Sequence, residues 1–175
     1  MKNPFIILSL ILFSSMLMAQ ETIQEAKVQF TLPEKWSLIQ KGGTFDDGLI
    51  QYFYRREPVP TPEGTEAYPA AIFILDRVKG RTLDDFIAED RRYEKGGRMA
   101  KGEFEPTIDV KVAGLDAKLI KVKIEDSGYR LRTLFYYFFN NDVAVKLVLN
   151  TIRDPNPALE EQEAIVKSLS VIDTN

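Results

Sequence analysis

The chain contains no histidine and no cysteine. The first absence removes the commonest general base and the commonest transition-metal ligand. The second removes thiol nucleophiles, thiolate zinc sites and every disulfide. A Ser-His hydrolase and a His-based metalloenzyme are therefore excluded. Beyond residue 19 the serines are Ser37, Ser127, Ser168 and Ser170, none in a G-x-S-x-G turn. A glycine-rich phosphate loop is missing too. "KGG" at 41–43 and "KGGR" at 95–98 lack the flanking pattern that lets backbone amides cradle a phosphate. Carboxylates remain. Asp46-Asp47, Asp84-Asp85 and Glu89-Asp90 offer oxygen ligands, but their spacing fits no calcium loop and suits a solvated acidic face or a helix start. A pair of carboxylates acting as a glycosidase dyad stays open, because so many acidic residues give spacing no power to select one. The expectation is a protein with no cofactor and no metal, and not an enzyme.

Long apolar runs are scarce as well, except at the start. Lys2 is the only charge in the first twenty residues, 5–18 are almost wholly apolar, and Ala19 precedes Gln20. A positive start, an apolar stretch and a small residue at the cut describe a secretory signal peptide. The stretch falls short of the roughly 20 apolar residues that span a bilayer. An uncleaved anchor is the alternative. The absence of cysteine rules out a lipid-modified lipoprotein. The reading is a signal peptide over 1–19, one domain over 20–175 and a periplasmic or secreted location, with the membrane touched only through the transient signal peptide.

Loss of Lys2 from the 23 basic residues leaves 22 against 26 acidic ones, a net charge of −4. That balance argues against nucleic acid, whose binding rests on neutralising phosphates with Lys and Arg. A chain of this length buries roughly 68–70% of its unfolded surface, enough for a core without disulfides.

Hydrophobic periodicity supplies the elements. Val28, Phe30 and Leu32 alternate with polar residues as in a half-buried strand, which Pro33 ends. Leu38-Ile39 begins another strand before Gly42-Gly43. Residues 49–54 read as a strand, and 70–75 as a central strand covered on both sides. Between them 56–69, "REPVPTPEGTEAYP", is proline-rich and reads as a long exposed loop. Thr82 and Asp85 form an acidic capping box for a helix carrying Leu83, Phe86, Ile87 and Tyr93 on one side and ended by Gly96-Gly97. Strands at 108–112 and 117–124 flank a turn in "AGLD". In the second, Ile120, Val122 and Ile124 face one way and Lys121, Lys123 and Glu125 the other.

The aromatic stretch comes next. Arg130 and Arg132 keep one side of its strand polar at first. From Leu134 both sides are apolar: Leu134, Tyr136 and Phe138 on one, Phe135, Tyr137 and Phe139 on the other. "NND" turns the chain into a return strand with Val143, Val145, Leu147 and Leu149 on one side. Asn156-Pro157 starts a last helix whose apolar face is Leu159, Ile165, Val166 and Leu169. Strands apolar on both faces need cover on both faces. The fold class expected is α+β, a mainly antiparallel β-sheet flanked by helices on both faces.

Three features bear on binding. The 56–69 loop is the best candidate contact surface, through Pro58, Pro60, Pro62 and Tyr68, because long loops in compact domains are often functional. Arg91, Arg92, Lys95, Arg98 and Lys101 form a basic run that could hold an acidic partner or lipid headgroups, although basic residues also suit a helix C-terminus. Arg91, Arg92 and Arg98 join the candidate contact residues. Trp36 reads as a corner-locking core residue.

The assembled pattern resembles the PsbP-like family, named for an extrinsic subunit of photosystem II and sharing its fold with a Ran-binding protein. The carrying pieces are "VQFTLPEKWSLIQ", "YPAAIFILDRV" followed by "RTLDDFIAED", "VAGLDAKLIKV", the aromatic strand before "NNDVAVKLVLN", and "PALEEQEAIVKSLSVID". The resemblance implies an α/β/α sandwich and a non-enzymatic, extracytoplasmic role that assists protein assemblies. The photosystem member's metal-related histidines have no counterpart here. The expected function is an exported interaction or assembly-accessory module of the bacterial envelope that binds another envelope protein. The alternative is a carrier of a small apolar ligand or lipid.

Overall fold

The computed structural model describes residues 18–93, 101–126 and 128–172. Residues 1–17 of the expected signal peptide, Gly96-Gly97, Lys95 and Arg98 lie outside them.

Thirteen strands and two helices are described, in the order β1 (Ala19–Ile23), β2 (Val28–Leu32), β3 (Trp36–Gly42), β4 (Ile50–Arg56), β5 (Val59–Pro60), β6 (Glu66–Ala67), β7 (Ala70–Arg77), α1 (Leu83–Tyr93), β8 (Gly102–Phe104), β9 (Ile108–Val112), β10 (Leu115–Asp126), β11 (Tyr129–Asn140), β12 (Val143–Ile152), α2 (Pro157–Ser168) and β13 (Ser170–Val171). The main sheet runs β3-β4-β7-β12-β11-β10-β8, with β9 also on β10. Each pairing in it is antiparallel. Its centre is the meander β10-β11-β12. Two hairpin turns, one beside it and one within it, follow from local chemistry. Ala113 and Gly114 take positive φ values of 54° and 80° between β9 and β10, as tight hairpin turns require. Asn141, at φ 55°, turns β11 into β12.

The aromatic strand divides between two apolar clusters. Leu134 and Phe138 join one with β2, β4, β7 and α2, where Phe30 stacks on Phe73 at 5.0 Å and meets Tyr54 edge-on at 5.4 Å. Phe135 and Tyr137 join the other, where Phe86 and Ile87 of α1 pack and Phe86 meets Tyr137 edge-on at 5.9 Å. The first cluster has a cover not expected from the sequence, a three-stranded sheet β1-β2-β13. It is held by Asn140, whose Nδ2 donates to the Ala26 carbonyl at 2.8 Å, and by the pairing of Ser170 with Gln29.

Helix starts match their signals. The Asp85 carboxylate accepts from Thr82 N–H at 2.9 Å while Thr82 Oγ1 accepts from Asp85 N–H at 3.1 Å. Asn156 caps α2 by accepting from Ala158 N–H at 3.0 Å. The buried stripe of α2 departs from expectation. Ala158, Gln162, Ile165 and Leu169 form it, at intervals of four, three and four. Leu159 and Val166 stand beside the stripe, half-buried.

The 56–69 segment also departs from a plain exposed loop. β5 and β6 pair within it, Thr61 N–H donates to Thr65 O at 2.9 Å, and Val59 is 1% exposed. Proline is tolerated there because a two-stranded ribbon has free edges. Arg56, its first residue, is buried against α2: Nε and Nη2 donate to Glu161 at 2.5 and 2.9 Å, and Trp36 Nε1 donates to the same carboxylate at 2.7 Å. Trp36 is thus a core residue with a polar anchor.

Candidate functional site

Leu159 and Val166 lead to the site. They face a cleft of about 570 Å³ between α2 and the β10-β11 hairpin. Register explains its two-part character. Across β10, β11 and β12 the rows on this side read Leu119, Tyr136, Leu147, then Lys121, Leu134, Leu149, then Lys123, Arg132, Thr151. The rows pass from apolar to cationic along the strands. Leu119, Leu134, Tyr136, Leu159 and Val166 give the cleft an apolar floor and side. Lys121, Lys123, Arg132, Arg153 and Lys167 also line it, with Glu105 and Glu163. Five cations and two anions face one cleft in a chain of formal net charge −3.

Most of these cations have partners. Lys123 pairs with Glu105 at 2.9 Å, Lys167 with Glu163 at 3.4 Å, and Arg153 with Glu125. The hydrogen bond from Lys123 holds the Glu105 carboxyl below its usual range, and Glu105 raises Lys123 in return. Arg132 differs. Its Nε and Nη2 are shielded from solvent and have no hydrogen-bond partner, and Arg153 Nε is in the same condition. Lys123 stands directly opposite Arg132 in the ladder, its own charge answered by Glu105. Burial pushes the Tyr136 phenol up, the neighbouring Arg132 opposes that, and Glu163 adds to it.

Among the described residues the sequence-derived contact residues fall in two places. Pro58, Pro60, Pro62 and Tyr68 are all exposed on the β5-β6 knob, Tyr68 at 53% with the Arg55 guanidinium 5.4 Å over its ring. Arg91 stands elsewhere, its guanidinium 5.0 Å over the Phe104 ring. Phe104, Val122, Thr133, Asn150 and Ala70 share one cross-strand row, so Phe104 and the knob's base lie four strands apart, roughly 19 Å. Arg92 sits in the last turn of α1. Arg91 is therefore not part of the knob. The cleft itself was missed. Its signal was present in the alternating Lys121, Lys123 and Arg130, Arg132 of paired strands, but nothing in one strand says that a helix will roof it.

The acidic pairs are engaged locally. Asp47 accepts from Thr44 Oγ1 at 2.7 Å, Asp84 pairs with Lys118 at 3.3 Å, and Glu89 with Arg81 at 2.6 Å. Asp90 takes the buried Lys146 at 2.6 Å and the Tyr137 hydroxyl at 2.6 Å. Among the described residues no three acidic side chains are grouped to hold a metal ion, and no helix is long and apolar enough to cross a membrane.

No family model matches the chain, and no curated protein matches it. Solved structures do. Cyanobacterial PsbP from Synechocystis aligns with a TM-score of 0.61 at 14% identity, over 88% of this chain and 92% of that one. LpqN of Mycobacterium tuberculosis, described as involved in cell envelope biogenesis, aligns with a TM-score of 0.60 at 11% identity, over 89% and 91%. The Ran-binding protein Mog1p of Saccharomyces cerevisiae aligns with a TM-score of 0.55 at 15% identity, over 91% and 97%. At such identities the likeness is one of fold. The chain has the PsbP-like fold, a mainly antiparallel sheet with two helices that it shares with an envelope protein and a Ran-binding protein.

Proposed function

We propose that the chain is an exported, non-enzymatic accessory module of the bacterial envelope, an α/β/α sandwich that binds another envelope protein. The observation that carries this is the PsbP-like fold, shared nearly end to end with an envelope-biogenesis protein and an extrinsic photosystem protein. A chain without histidine or cysteine also lacks the commonest general base and the thiol nucleophile. The β5-β6 knob is the contact surface, because Pro58, Pro60, Pro62 and Tyr68 project from a pinned ribbon that loses little entropy on binding. The test is photo-crosslinking in cells from positions 60 and 68 of the full chain. One discrete protein adduct, lost when Pro58, Pro62 and Tyr68 are replaced together by serine, is expected. Adducts that survive the replacement overturn the knob as the contact surface. Export is checked on the same cells: N-terminal sequencing should find Gln20 first in an envelope fraction, and a retained N-terminus overturns it.

A second reading, a small-ligand carrier, is favoured by the cleft alone. Its size falls within the roughly 300–1,000 Å³ of ligand pockets, and its apolar lining is left over from the core.

A further inference from the structure

We infer that this cleft is built for a single-chain anionic amphiphile, its head on Arg132 and its chain along Leu134, Tyr136 and Leu159. The inference rests on the carrier reading and deepens it. Three observations converge. The first is Arg132, a half-buried cation that lines the cleft and whose Nε and Nη2 have no hydrogen-bond partner in the protein. A buried charged donor without an acceptor is costly, and folded proteins rarely retain one without a use. A carboxylate or phosphate in the cleft would answer the guanidinium charge from its open side. The second is the row Lys123–Arg132, with Lys121 one row away and Arg153 Nε also unpartnered. Lys123 and Arg153 already have Glu105 and Glu125, so an added anion is drawn to Arg132 with two further cations close by. The third is the apolar half. Leu159 projects from α2 beside its buried stripe and lines the cleft. An inorganic anion makes no use of it, and a neutral hydrocarbon makes no use of the cations. One molecule with both parts satisfies both.

The stoichiometry, head and chain are tested by isothermal titration of the full-length protein with palmitate, hexadecyl phosphate, hexadecanol and inorganic phosphate. Palmitate and hexadecyl phosphate are expected to bind one per chain. Hexadecanol and inorganic phosphate are expected to bind at least about tenfold more weakly, the worth of a charge-assisted hydrogen bond. Arg132→Gln should weaken palmitate by about the same factor, with Arg132→Lys intermediate. Leu159→Gln should weaken long chains and leave inorganic phosphate unchanged. Thermal melts separate binding from folding. Without ligand Arg132→Gln should melt no lower than the parent, because it removes donors that have no acceptor, and palmitate should raise its melting temperature less. Equal binding of hexadecanol and palmitate overturns the anionic head and leaves the carrier reading standing. Binding of inorganic phosphate as tight as palmitate overturns the chain-binding half. Binding of none of the four overturns the inference and the carrier reading together. Unchanged palmitate affinity in Arg132→Gln overturns the assignment of the head.

Discussion

Removing Glu161 should be the costliest single change on the surface of α2. Its carboxylate accepts from Arg56 Nε, Arg56 Nη2 and Trp36 Nε1. Arg56 is 4% exposed, so its charge has little access to water once the partner is gone. Breaking a buried pair by deleting one member costs about 3–5 kcal/mol. Glu161 keeps 23% of its side chain in solvent, which screens the pair and favours the low end, about 3 kcal/mol. For a domain of this size that lowers the melting temperature by about 6–12 °C in a circular-dichroism melt at neutral pH. Arg56→Met with Glu161→Leu should recover most of the loss, since apolar replacement of a whole buried pair is often neutral. The pH dependence follows from the carboxyl's position. Burial alone would raise it, but hydrogen bonds from Arg56 and Trp36 outweigh burial and hold it below its ordinary 4.5. The stabilisation is complete above the unfolded value and fades as pH falls through the lower, folded one. The gap between parent and Glu161→Ala should therefore close as pH drops below 4.5. A single variant melting within about 2 °C of the parent, or a double variant as unstable as the single, would refute the reasoning.

Three smaller changes probe other points of the structure. Asn156→Ala removes the α2 cap and should cost about 1 kcal/mol in urea unfolding, with the slope unchanged. Gly43→Ala should cost more than about 1 kcal/mol by the same measurement, because Gly43 sits at φ 84° and a Cβ there would lie 1.9 Å from the Leu49 carbonyl oxygen. Tyr136 should ionise above the ordinary phenol range in an ultraviolet titration, and Arg132→Gln should move it further up, because the guanidinium favours the phenolate; a downward move would place Arg132 away from the cleft.

Sequence reading succeeded where the physics is local. The Thr82-Asp85 box, the Asn156-Pro157 start and the Ala113-Gly114 turn each close within a few residues. The alternation of Ile120, Val122 and Ile124 with lysines set the two sides of β10 directly. It failed on 56–69, where proline content masked a short ribbon. Val59 is buried by tertiary packing, and Arg56 is paired with a residue 105 positions away.

By itself the sequence determined the longer strands and the helix starts, the apolar character of both faces of β11, and the chemistries that a chain without histidine or cysteine lacks. Periods of two and 3.6 residues, caps and side-chain types suffice for that. Tertiary structure alone decided that β13 would pair with β2 to make a second sheet, and that α2 would turn Ala158 and Gln162 inward. It also decided that Leu159 and Val166 would stand across a cleft from Leu134 and Arg132. Those outcomes depend on how far a helix lies from a strand distant in sequence. That distance is set by the volumes packed between them, which no local pattern encodes.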